Sequence, residues 1–203
     1  MRPIMDSGAH RRIGIPGIET APWGEHVCVF FNSKSELLSL TVPFIEAGLR
    51  DNEYCIWITG DPLRENEAFQ ELEKVLPDAH HYVARKQLEI FSSTQWYLPS
   101  GKFEMQIVVD NWMHRARRAE AEGFAGIRIT GNPVWLQTEE DWDQFARYEE
   151  IVHQWIKKQK VLALCTYPVW VWRGQNILKT LSSHSSALLS DNQQWRRLQL
   201  SSR

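Results

Sequence analysis

Short apolar runs punctuate the chain, and between them apolar positions recur at helical spacing. His26–Phe31 (HVCVFF) is apolar on both faces, which suits an inner strand of a parallel sheet. Tyr54–Thr59, Leu88–Phe91, Gly126–Thr130 and Val161–Thr166 repeat that character. Ser33-x-x-Glu36 fits a capping box and predicts a helix over 34–50, with Leu37, Leu38, Thr41, Phe44, Ile45 and Leu49 as its buried stripe. A polar helix is expected over 63–75, and residues 82–84 read as an edge-strand piece. Lys102–Glu122 carries Ile107, Val108, Trp112, Ala116 and Ala119 at helical spacing. Thr138-x-x-Asp141 opens a helix over 139–158, with Trp142, Phe145, Tyr148, Val152, Trp155 and Ile156 on one face. A further helix is predicted over 175–181. Strands alternating with helices predict an α/β fold: three layers around a mainly parallel, doubly wound sheet of about five or more strands. Residues 1–20 read as a flexible leader, 21–190 as one domain, and 191–203 as a helical tail with Trp195 and Leu198 turned inward.

Two of these strands end in the same phrase. Ile58-Thr59-Gly60-Asp61-Pro62 matches Ile129-Thr130-Gly131-Asn132-Pro133, and the second is read with Asn132 capping a helix that starts at Pro133. In an open α/β sheet the carboxyl ends of strands are where ligands bind. The residues expected to line that edge are Phe31, Asn32, Asp61, Ser92, Trp96, Tyr97, Asn132, Trp135, Tyr167 and His184, with Trp170 nearby. Aromatic and weakly polar in character, this rim suits a small, largely apolar or aromatic ligand better than a phosphate. The connection Ser92–Gly101 is read as a long loop, the expected moving part on ligand binding.

Composition narrows the function further. A net charge of −2 gives no field favouring nucleic acid, so no direct nucleic-acid contact is expected. No apolar run approaches the roughly 18 residues of a membrane helix, and residues 1–20 contain no signal-peptide core. A cytoplasmic protein is expected. Cys28, Cys55 and Cys165 lie within strands and read as buried, reduced, inert thiols. His26 and His184 are possible pocket groups, but no H-E-x-x-H or close Cys/His spacing occurs, so neither metal nor cofactor is expected. A nucleotide loop should follow the first strand as G-x-x-x-x-G-K-[ST], and Asn32-Ser33-Lys34-Ser35-Glu36 stands there without a glycine. The basic runs at 114–118 and 157–160 sit among glutamates and read as solvated faces.

Several motifs in order resemble one family. Trp23-Gly24-Glu25-His26 leading into the first strand, then Pro43–Leu49 and Asn52-Glu53, are similar to the opening of the MEDS (methanogen/methylotroph, DcmR sensory) domain. Gly131 with Trp135, Tyr148-Glu149, Cys165-Thr166-Tyr167 and His184 fit its later parts, so the resemblance spans roughly residues 22–189. It implies a RecA/KaiC-like core without its nucleotide loop. It also implies a sensory role toward ligands such as small hydrocarbon derivatives. Such domains precede histidine-kinase or transcription-regulator outputs. With this sequence ending at Arg203, the output is expected in trans or from the rest of a longer protein. The leading expectation is a non-catalytic sensory domain that binds a small molecule and signals to a partner. The alternatives are a homodimeric interaction module without a ligand and a residual nucleotide-binding protein.

Overall fold

The computed structural model describes residues 10–171, 174–191 and 194–200. In chain order the elements are β1 (His10–Arg12), β2 (Thr20–Pro22), β3 (Glu25–Phe31), α1 (Lys34–Arg50), β4 (Tyr54–Thr59), α2 (Glu65–Val75), α3 (Ala79–Ala84), β5 (Leu88–Ser92), α4 (Ser93–Tyr97), α5 (Met105–Ala121), β6 (Ile127–Gly131), α6 (Glu139–Ile156), β7 (Val161–Pro168), α7 (Gly174–Ser182), β8 (Ser186–Asp191) and β9 (Gln194–Gln199). The main sheet runs β5-β4-β6-β7-β3-β8-β9. Every neighbouring pair is parallel except β8–β9, the antiparallel pair at one edge. None of the described helices is long and apolar enough to cross a membrane.

The inner strands β3, β4, β6 and β7 are buried on both faces because both faces are covered. Along β4, Cys55 and Trp57 point into one core with Leu40, Phe44 and Ile45 of α1 and Leu72 of α2. Tyr54, Ile56 and Ile58 point into the other, with Trp112 of α5 and Phe145 and Tyr148 of α6. β3 leads into α1 on the first face, whereas its neighbour β7 leads through α7 to β8, and Leu181 of α7 packs on the second face. The chain therefore departs to opposite faces at the β3/β7 boundary, which opens a crevice at the carboxyl edge.

Three expectations need correction. Residues 10–20 are not a flexible leader: β1 and β2 pair, and Ile13, Ile15 and Ile18 are buried in the first core. Gly14 and Gly17, both at positive φ, let this arm lie against the carbonyls of Pro43 and Trp195, where a Cβ would collide. The arm is tied down by Arg128, whose Nε meets Glu53 Oε2 at 2.6 Å, both side chains being fully buried. The same guanidinium donates to the carbonyls of Arg12, Ile13 and Phe44, and Arg11 holds the other Glu53 oxygen at 2.8 Å. Residues 1–9 lie outside the described residues. The tail is not helical: β9 pairs with β8, burying Trp195 and leaving Leu198 exposed. Residues 201–203 of that tail are outside the described residues. Residues 82–84 close a short helix rather than adding a strand, because β5 already forms that edge.

Candidate functional site

The predicted rim residues divide into three groups. Phe31 ends β3 fully buried in the α1-side core, meeting exposed Trp170 edge-on at 5.4 Å. Asn32 is exposed, and its backbone and side-chain N–H groups both donate to the Glu36 carboxylate, at 2.6 and 3.3 Å. Ser92 caps α4 by accepting from the Gln95 N–H. Asp61 is exposed, and its carbonyl accepts from Asn132 Nδ2. These residues serve local structure.

Trp96, Tyr97, Asn132 and Trp135 lie on the α4–α6 side. Ser92–Gly101 is not the open loop that was expected: α4 occupies its first half and buries Trp96 and Tyr97. Tyr97 faces Trp135 at 6.0 Å, and Phe103 stacks on Trp135 at 4.9 Å. Phe145 and Tyr148 of α6 close this aromatic box edge-on to Tyr97. Asn132 does not cap a helix; Thr138 caps α6 instead. Buried beside Gly60 and Ser93, Asn132 donates through Nδ2 to the Gly60 carbonyl at 3.3 Å.

Tyr167 and His184 belong to a deeper polar layer that also contains His26, Glu149, His153 and Cys165. Tyr167 OH lies 3.5 Å from His184 Nε2, and the His26 and His184 rings stack at 3.9 Å. Glu149 Oε2 lies 3.5 Å from Nε2 of both histidines. Burial pushes the Glu149 carboxyl up to about 8 and His184 down to about 3. His26 is lowered by burial first and then by its neighbours His184 and His153. Tyr97, Tyr148, Tyr167 and Cys165 are raised, chiefly by burial. Burial therefore disfavours the charged form of each group in this layer. The sequence reading treats Cys165 as an inert strand thiol and puts Glu149 in a family motif and among the glutamates of a solvated face; the structure instead buries Glu149. The signal for Glu149 was its position: four residues after Phe145 and three before Val152, it puts a carboxyl on the apolar face of α6.

Four buried side-chain atoms near the carboxyl edge have no hydrogen-bond partner: Ser93 Oγ and Trp96 Nε1 on α4, and Asn132 Oδ1 and Trp135 Nε1 after β6. Such atoms are rare in folded proteins, and several in adjacent segments call for an additional partner. A hollow of about 530 Å³ is lined by one of these residues, Trp135, together with Leu98, Phe103, Val134 and the charged Lys102 and Asp141. A larger hollow, about 710 Å³, lies elsewhere, against edge strand β5, where Phe69, Val83 and Ile90 form an open apolar trough. We place the candidate site at the former, because there the orphaned Trp135 indole N–H and the aromatic wall of Phe103 come together.

After β3, the position of a nucleotide loop, Ser33 Oγ accepts from the Glu36 N–H and the Glu36 carboxylate accepts from Asn32. An internal carboxylate thus takes the N–H that a phosphate loop would offer its ligand.

The fold has solved counterparts. A KaiC-like protein from the hyperthermophilic archaeon Pyrococcus horikoshii aligns with a TM-score of 0.59 at 16% identity, covering 93% of this chain and 85% of its own. In sequence, the chain is 27% identical over 173 residues to the transcriptional repressor DcmR of Methylorubrum extorquens, covering 84% of this chain. The match spans 61% of the repressor's length. Residues 25–185, from the start of β3 to just before β8, match the family described as MEDS, the methanogen/methylotroph, DcmR sensory domain. With that match running through every strand from β3 to β7 and reaching His184, the chain belongs to the MEDS family of sensory domains.

Proposed function

We propose that the protein is a non-catalytic sensory domain that binds a small, largely apolar molecule carrying one hydrogen-bonding group. It reports occupancy to a transcription-regulating output, in the same protein or in a partner. The observation that supports the reading best is the set of orphaned polar atoms, Ser93 Oγ, Asn132 Oδ1 and the Trp96 and Trp135 indole N–H groups, beside aromatic walls. The ligand's hydrogen-bonding group would accept from the Trp135 indole N–H, while Phe103 and Trp135 contribute apolar contact. The adjoining layer, where burial disfavours charge, supports an uncharged ligand over an anion. The repressor relative supports a transcriptional output, and the family's sensory description supports the input.

The test is a thermal-shift and tryptophan-fluorescence screen against short alcohols, ketones, halogenated alkanes and simple aromatics. At least one class should bind saturably, and Trp135→Ala and Asn132→Ala should each weaken it by about tenfold or more while leaving the fold intact. Unchanged affinity in both variants would move the site away from this edge. Saturable Mg-ATP binding with turnover would replace the sensory reading by a nucleotide-dependent one.

A further inference from the structure

Three segments distant in sequence, together with the connection after α7, bring four metal-binding side chains to one point. His26 comes from β3, Glu149 from α6, Cys165 from β7 and His184 from the α7–β8 connection. One ligand atom from each lies within 4.8 Å of all the others. We propose that this quartet is a site for a zinc-class divalent cation, held by two imidazoles, one thiolate and one carboxylate. The proposal is independent of the organic ligand proposed above, because metal content is measured without one.

The spacing fits such an ion. Bonds of about 2.0–2.3 Å in a tetrahedron place neighbouring ligand atoms roughly 3.3–3.8 Å apart. His26 Nε2 lies 3.2 Å from Cys165 Sγ and 3.5 Å from Glu149 Oε2, and His184 Nε2 lies 3.5 Å from the same oxygen. The outer ring nitrogens are anchored as those of ligating histidines usually are. His184 Nδ1–H donates to the Thr180 carbonyl at 2.7 Å, which leaves the Nε2 lone pair facing the cluster. His26 Nδ1 is 3.3 Å from His153 Nδ1, which occupies its outer side in the same way.

A purely structural hydrogen-bonded cluster explains the arrangement less well. Glu149 Oε2 is buried without a hydrogen-bond partner, a costly state for a carboxyl oxygen unless something positive sits beside it. The cysteines also differ. Cys28 and Cys55 donate to backbone carbonyls, as inert buried thiols do, whereas Cys165 faces an imidazole nitrogen. Four protein ligands of mixed N, S and O type suit zinc and its transition-metal neighbours rather than magnesium or calcium, which prefer oxygen. Occupancy by four protein groups is also the pattern of a site that holds structure together rather than one open to substrate. Here it would fasten the α7–β8 connection to α6 and the sheet. His153, next to His26, lines a surface hollow of about 370 Å³ between α6 and α7, a short route inward.

The test uses the full chain without a histidine tag. Protein grown with supplementary zinc and dialysed against metal-free buffer should retain close to one zinc per chain by plasma mass spectrometry. After chelator treatment, titration with Co²⁺ should produce the d–d absorption of a tetrahedral site and a thiolate-to-cobalt charge-transfer band, both saturating near one equivalent. Cys165→Ser should lose the charge-transfer band, and His184→Ala should weaken Co²⁺ binding by at least about tenfold, whereas Cys28→Ser should leave both intact. Sub-stoichiometric metal together with a featureless Co²⁺ titration of the wild-type chain would overturn the proposal, and that result needs no variant to fold. A charge-transfer band that survives Cys165→Ser but disappears in Cys28→Ser would overturn the assignment.

Discussion

Arg128 is the most demanding test of how the fold is held together. Its guanidinium makes a 2.6 Å ion pair with Glu53 and donates to the carbonyls of Arg12, Ile13 and Phe44, all from a fully buried position. Arg128→Met keeps much of the apolar stem and removes these bonds. Breaking one partner of a buried pair costs roughly 3–5 kcal/mol, because the other charge remains in the interior. Glu53 still has Arg11 at 2.8 Å, whose side chain is 18% exposed, and this residual pair places the expected loss toward the lower end of that range. Even so, the loss is a large fraction of a typical domain's stability of about 5–15 kcal/mol. Urea unfolding followed by tryptophan fluorescence measures it. Trypsin cleavage at Arg11 and Arg12 should accelerate in the same variant, since the arm loses the carbonyl contacts that fix it. The double variant R128M/E53Q should lose less than the sum of the singles, because the second change removes the charge orphaned by the first. A loss under about 1 kcal/mol with the arm still protected would refute this account of how residues 10–22 are held.

Other perturbations follow from the same geometry. Gly48→Ala should destabilise the protein by about 1–3 kcal/mol in urea unfolding, because its Cβ would come within 2.6 Å of Arg128 Cδ and 2.8 Å of Cys55 Sγ. In chelator-treated protein, stability should fall as pH rises from about 6.5 to 8. Glu149 keeps its proton in the fold up to about 8, while the unfolded chain loses it near the ordinary carboxyl value of 4.5. Below pH 6.5 this fall is opposed by His184, which is held neutral down to about 3 while the unfolded chain takes up a proton. Glu149→Gln should therefore flatten the decline above pH 6.5, and a decline of unchanged slope would contradict the burial of a neutral carboxyl. Trp195→Ala should cost about 3–5 kcal/mol in urea unfolding, since the indole is 5% exposed in the α1-side core; a loss within about 0.5 kcal/mol would show that β9 does not seal that edge.

Much of the fold could be read from the sequence. Strands β3, β4, β6 and β7 are buried on both faces and largely apolar because two helical layers cover them, and α1 and α6 announce themselves by Ser33 and Thr138 caps. The ends were harder to read. Ile13, Ile15 and Ile18 are apolar positions among glycines and arginines, and their burial depends on Arg128, 110 or more residues later, which no local pattern exposes. Leu188, Trp195 and Leu198 fit a helical spacing by coincidence; pairing of β8 with both β3 and β9 decided the outcome. Tyr97, Asn132 and Trp135 could be placed near the carboxyl edge from the sequence because they follow strand ends. Phe31 and Ser92 also follow or end strands, yet one fills the core and the other caps a helix, so position at an edge did not distinguish binding from packing. The His26–Glu149–Cys165–His184 group was invisible as a group because its members are spread over most of the sheet's connectivity and meet only through the β3–β7 pairing and the return of α7.

The most direct measurement of the central claim is a titration of indole N–H resonances in the ¹⁵N-labelled protein with the small-molecule panel, Trp96 and Trp135 being assigned by Trp→Phe variants. The account predicts that at least one compound class moves the Trp135 resonance saturably, with an affinity that Asn132→Ala weakens, because the ligand supplies the partner this N–H lacks. If binding compounds leave the Trp135 and Trp96 resonances in place and perturb Ile90 and Phe91 at the β5 trough instead, or if no compound moves any indole resonance, the carboxyl-edge sensory site is wrong.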